Sequence, residues 1–168
     1  MTCRRSAKNI SVFACVSGLV SGLVIGFVAV PGVSVLDIFR FDEPIFLFLY
    51  ELFPIAVIFF SGLSVLGFLF VYPAAFWKAY CVAFIYGAAF GSGVTDELKY
   101  VAMFLPAAII SVFSVLISSS EAFVFSLRIY RAENRKTLHA DLISYFASFI
   151  LYLLLAAVPV FYIYFVWK

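Results

Sequence analysis

Long apolar stretches alternate with short polar segments along this chain, and the alternation predicts five helices. The apolar stretches are Ile10–Val30, Leu52–Val71, Ala74–Phe90, Val101–Phe125 and Leu142–Ile163. Each is close to the ~20 apolar residues a helix needs to cross a bilayer. Breaks fall between them. Pro31 and Gly32 end the first stretch, and Tyr72-Pro73 marks a tight turn between the second and third. Gly91, Ser92 and Gly93 end the third, followed by the polar residues Thr95, Asp96, Glu97 and Lys99. The segment Val33–Glu51 mixes apolar residues with Asp37, Arg40, Asp42, Glu43 and Glu51. It reads either as a helix lying along the membrane surface or as an ordinary loop.

Composition says which solvent surrounds these stretches. Of 168 residues, 66% are hydrophobic and 12% charged, and the mean hydropathy is +1.16. A soluble domain is roughly 45–50% apolar and about 25% charged, and a chain this short has too little interior to hide the excess. Residues 1–168 therefore read as a single integral membrane domain, an all-α, multi-pass bundle of about five transmembrane helices in the cell membrane. The basic start and apolar run imitate a signal peptide. The run is longer than a signal core of ~7–15 residues, however, and the later apolar stretches make a first membrane span natural.

Charge sets an orientation. Basic residues flanking spans are retained in the cytoplasm. With the N-terminus inside and five spans, eight of the eleven basic residues fall on the cytoplasmic side: Arg4, Arg5, Lys8, Lys78, Arg128, Arg131, Arg135 and Lys136. Arg40, Lys99 and Lys168 fall outside. The expectation is N-terminus inside and C-terminus outside. The polar stretch Ser126–Asp141, with Arg128, Arg131, Arg135 and Lys136, then faces the anionic inner leaflet. It is either a topology anchor touching lipid or a docking site for a cytoplasmic protein. The acidic residues before the second span and after the third give the outer side the opposite sign. Nucleic acid is not an expected partner.

Small residues mark where helices meet. Gly18, Gly22 and Gly26 recur every fourth position on the first helix, and Gly87 and Gly91 repeat the spacing on the third. Such spacing lets backbones approach closely where lipid removes the hydrophobic drive. It serves either packing within one chain or formation of a homo-oligomer. Ser111, Ser114 and Ser118 to Ser120 supply hydroxyls on the fourth helix that can bond across to neighbours.

Ionisable residues inside the membrane are functional candidates, and Lys78 and Glu121 fit that description. Both are expected near the cytoplasmic ends of their spans, either as a structural pair or with Glu121 as an ion-coupling carboxylate. His139 is the only histidine, and Cys3, Cys15 and Cys81 share no metal-ligand or redox spacing. No phosphate-binding, nucleophile-elbow or zinc-protease motif occurs. No catalytic residue, cofactor or metal site is expected, and the chain does not read as an enzyme.

Short motifs carry a family resemblance. Leu105-Pro106 opens the fourth span, and Ser126-Leu127-Arg128, followed by Arg131, closes it. Lys78 with Gly87 downstream fits the preceding helix. From about Gly62 to its end, the chain resembles the stage II sporulation protein M family of integral membrane proteins. It departs at Ala107 and Ala108, where family members often carry a polar pair such as His-Gly. The resemblance implies a non-catalytic scaffold that positions membrane or extracytoplasmic partners. In endospore formers, the family protein acts in engulfment and helps place peptidoglycan-degrading partners at the septal membrane. The family also resembles permease subunits of ABC-2-type exporters. The competing expectation is therefore a permease-like subunit served by a separate ATPase.

Overall fold

The computed structural model describes residues 2–29, 44–92, 95–131 and 135–167. Its helices are α1 (Thr2–Ala29), α2 (Pro44–Gly62), α3 (Phe68–Ser92), α4 (Thr95–Tyr130) and α5 (Arg135–Trp167). No strand occurs among the described residues. The question of a surface helix or loop over Val33–Glu51 falls mostly on residues outside that description, but its last eight residues belong to α2.

Four helices carry windows long and apolar enough to cross a membrane: Ser6–Val28, Phe68–Gly91, Ala102–Tyr130 and His139–Tyr162. Only 28–39% of each window is buried inside the chain. Large apolar side chains such as Phe13, Phe53 and Phe165 point outward, at 70% exposure or more. In water that would be an unstable surface; against lipid it is the ordinary one. The protein is a multi-pass membrane bundle.

The contacts give each helix a direction. Gly18 lies against Phe76 and Ala79, Gly22 against Tyr80 and Ala83, and Gly26 against Phe84 and Ala88. The two numbers rise together, so α1 and α3 run parallel. The chain between two parallel crossings must return through the membrane, and α2 is the described helix that does so. Its nineteen residues span about 28 Å at 1.5 Å per residue. α2 in turn runs parallel to α4: Glu51 meets Ser111, while Gly62 meets Ala122. α5 runs back along α4, with Tyr145 stacked on Phe125 and Tyr162 bonded to the Met103 carbonyl.

Two boundaries differ from the sequence expectation. The turn between the second and third helices is Leu63–Gly67, not Tyr72-Pro73. Both of those residues lie inside α3, and Pro54, Pro106 and Pro159 are likewise within helices. Packed membrane helices tolerate proline because neighbours re-satisfy the freed backbone groups. The turn forms instead where two local features demand it. A Cβ at Gly67 would overlap the Ser61 carbonyl. The fully buried Ser126 hydroxyl, reaching in from α4, accepts from the Phe68 N–H (3.0 Å) and donates to the Ser64 carbonyl (2.8 Å). The second difference is at Ser126–Asp141, expected as a polar loop. α4 continues to Tyr130 and α5 starts at Arg135, so most of that stretch is helix.

The core is aromatic where α2, α4 and α5 meet. Phe59 stacks on Phe149 at 3.8 Å and on Tyr145 at 5.0 Å, and Tyr145 stacks on Phe125 at 4.6 Å. The Tyr145 hydroxyl is not left bare in that setting; it donates to the Phe59 carbonyl at 3.0 Å.

Candidate functional site

Polar chemistry gathers in two places. The first lies within the membrane. Lys78 is ten residues into α3, about 15 Å along the helix from its start. That is near the middle of a hydrocarbon layer ~30 Å thick. Its side chain is 1% exposed, and its ammonium donates to Glu51 Oε1 at 2.7 Å. The other carboxylate oxygen, Oε2, accepts from the Ser111 hydroxyl at 2.6 Å. The ammonium also stands 3.9 Å from the Tyr50 ring centre, where the ring quadrupole favours a cation. Tyr50 hydrogen-bonds with Cys81. Three helices thus meet around one ion pair whose charged atoms all have partners.

This corrects the expected pairing. Lys78 does not face Glu121, and it does not sit at the cytoplasmic end of its span. Its partner is Glu51, expected in an outer segment before the second span. Hydropathy sets the start of that span about eight residues too far along the chain, and moving α2 back to Pro44–Gly62 carries Glu51 inside. One signal is present in the sequence. Glu51 is the only charged residue between Glu43 and Lys78, so it interrupts an apolar run and does not precede one.

The second place is one end of the bundle. α1, α4 and α5 enclose an open cleft of about 760 Å³ whose rim carries Lys8, Arg128, Arg131 and Asp141. Arg128 is paired with Asp141 across the α4–α5 connection. Lys8 and Arg131 are exposed and have no acidic partner within ion-pair distance among the described residues. Glu121 lines the cleft seven residues before Arg128, about 10 Å deeper along α4. Arg135 and Lys136 lie in the first turn of α5, and their side chains are outside the described residues. His139 is exposed near this end.

The glycines are brought together within the chain. A Cβ at Gly22 would meet the Tyr80 carbonyl oxygen, and one at Gly87 the Leu23 carbonyl. A Cβ at Gly18 or Gly91 would likewise come within 2.5 or 2.8 Å of the Phe76 or Phe27 carbonyl oxygen. The α1 glycine stripe is covered by α3, which leaves no room on it for a second copy. The serines behave differently from expectation. Ser114, Ser118, Ser119 and Ser120 donate to carbonyls three or four residues back in their own helix. Among the serines of α4, only Ser111 and Ser126 are seen bonding across helices in the described residues.

Among the described residues, no group of three His, Cys, Asp or Glu side chains comes together. Compared with known families, curated proteins and solved structures, the chain matches none of them. Two residues of the Ser126-Leu127-Arg128 stretch have structural roles: Ser126 holds the α2–α3 turn, and Arg128 ties α4 to α5.

Proposed function

We propose that this protein is a non-catalytic scaffold of the cell membrane, of the kind its resemblance to the stage II sporulation protein M family implies. The supporting observation is how the membrane-embedded charge is used. Lys78 and Glu51 are joined to each other, and Ser111 completes the carboxylate. A carboxylate fully engaged in this way stabilises the helix arrangement and offers no free site to a passing ion. Lys8 and Arg131 are exposed at one end of the bundle, where they meet the membrane surface or a partner.

The same end is cytoplasmic in this reading. With Lys78 moved into the membrane, basic residues flanking the spans number seven on the side of Lys8 and Arg128 and three on the other. The N-terminus is inside and the C-terminus outside. The permease-like alternative relies on a hydroxyl-lined path along α4, and it loses support because Ser114, Ser118 and Ser119 are buried and bonded to their own helix.

Purification in mild detergent, with identification of the co-purifying proteins, tests the proposal. Cell-wall enzymes or other extracytoplasmic proteins are the expected partners. A stoichiometric ATPase would replace the scaffold with the permease reading.

A further inference from the structure

We infer that the cleft between α1, α4 and α5 is a binding site for one anionic phospholipid, its phosphate at Lys8 and Arg131 and an acyl chain along α4. The inference stands apart from the scaffold reading, since it depends only on the cleft. Three observations support it.

The first is charge. Lys8 and Arg131 are exposed cations on the rim, without an acidic partner among the described residues. Asp141, the acid beside them, is already paired with Arg128. A phosphate therefore meets two cations at the rim that no described acid pairs with. Glu121 faces the same cleft about 10 Å deeper along α4. It opposes an anion at that depth and so confines the phosphate to the rim.

The second is length. The α4 wall descends from Arg131 through Val124 and Ile117 to Phe113. From Arg128 to Phe113 is about 22 Å at 1.5 Å per residue, enough for a chain that fills one leaflet of roughly 15 Å. Below the rim the wall combines the apolar Val124, Ile117, Leu116 and Phe113 with polar side chains, Ser120 and Glu121 on α4 and Ser144 and Ser148 on α5. The Ser144 hydroxyl, about 4.5 Å below Asp141 along α5, suits the glycerol and ester oxygens attached to a phosphate held at the rim. The volume, about 760 Å³, lies within the ~300–1,000 Å³ usual for a small-molecule site.

The third is access. The cleft is open, and Phe113 and Ser144 on its walls are exposed. In a membrane that opening faces hydrocarbon, so the occupant arrives from the bilayer.

Native mass spectrometry of the purified protein in detergent, titrated with phosphatidylglycerol or with phosphatidylcholine of the same chains, provides the test. One phosphatidylglycerol is expected to bind at least about tenfold more tightly than phosphatidylcholine. Replacing both Lys8→Gln and Arg131→Gln should weaken it about 25-fold, fivefold for each cation at a membrane surface. Ser144→Trp, an exposed position on the wall, should block the site with both cations intact. Unchanged melting of each variant in lipid-free detergent establishes that it is folded, and Lys8→Gln alone, expected to weaken binding fivefold, serves if the double variant is not. Millimolar inorganic phosphate should not displace the lipid. Equal binding of the two lipids overturns the inference. So does full retention of phosphatidylglycerol by the Trp variant or by the folded charge variant, or displacement by phosphate alone.

Discussion

Lys78 and Glu51 place two ions near the centre of the hydrocarbon layer, and their worth depends on what is removed. An ion left alone there keeps its desolvation cost without the attraction that offsets it. Breaking a buried pair by deleting one partner typically costs about 3–5 kcal/mol, whereas replacing both with apolar residues of similar volume is often neutral or stabilising. Lys78→Met should therefore lower stability by about 3 kcal/mol or more, as read from unfolding in mixed micelles. Glu51→Leu with Lys78→Met should recover most of that loss. Ser111 tolerates the double change because a helical serine can turn its hydroxyl to a carbonyl of the preceding turn, as Ser114 already does. A double variant as unstable as the single one would mean that the pair is not a self-contained unit. Ser126 carries a smaller load. Ser126→Ala removes an acceptor from Phe68 and a donor from Ser64, at about 1 kcal/mol for each bond. Its effect should appear as faster amide exchange at Phe68 with little change elsewhere.

At the scale of the helix, the α1–α3 contact is the most demanding in the molecule. Small residues face each other every fourth position, with Ala79 and Ala83 extending the row of Gly87 and Gly91. A larger side chain at Gly22 meets the backbone of α3, not a flexible neighbour. Gly22→Leu should separate the two helices and destabilise the fold by about 3 kcal/mol or more, at the upper end of overpacking costs. Loss of self-association with unchanged stability would instead assign the stripe to a homo-oligomer. A close backbone approach was legible in the sequence, because glycines at this spacing let helices meet, but neither the partner helix nor the choice between one chain and two was. The five helices were legible from hydropathy for a similar reason. The ends of α2 and α3 were not. A rule learned from soluble chains places a break before Pro73, while the actual turn depends on Gly67 against Ser61 and on Ser126 from sixty residues away. That misplacement also hid Glu51. A shift of eight residues along a helix converts a charge at the membrane surface into one at the centre, and hydropathy averaged over a window does not resolve it.

The whole molecule is ordered by one asymmetry, which the alternating helix directions make possible. Parallel α1 and α3 put Lys8 and the Leu63–Gly67 turn at the same end, and α4 delivers Arg128 and Arg131 there as well. α4 has 36 residues, about 54 Å, so it outruns the ~30 Å hydrocarbon layer and carries these arginines beyond it. Arg128 and Asp141 then join the ends of α4 and α5 at a position 35–41% exposed, where an ion pair contributes at most about 1 kcal/mol. Their value is therefore in topology and shape more than in stability. In the proposed orientation that end is cytoplasmic, since basic residues flanking spans are retained on that side. An alkaline phosphatase fused after Lys168 should be active, and a green fluorescent protein at the same place should be dark. Removing the charge gives the sharper result. Changing Arg4, Arg5, Lys8, Arg128 and Arg131 to glutamine would leave two basic residues, Arg135 and Lys136, flanking the spans at this end, against three at the other. The fused phosphatase should then lose activity in a measurable fraction of molecules as the fluorescent protein gains it. If the orientation ignored these five residues, the packing of the helices would remain, but the basic end would have to be explained by a bound partner and not by insertion.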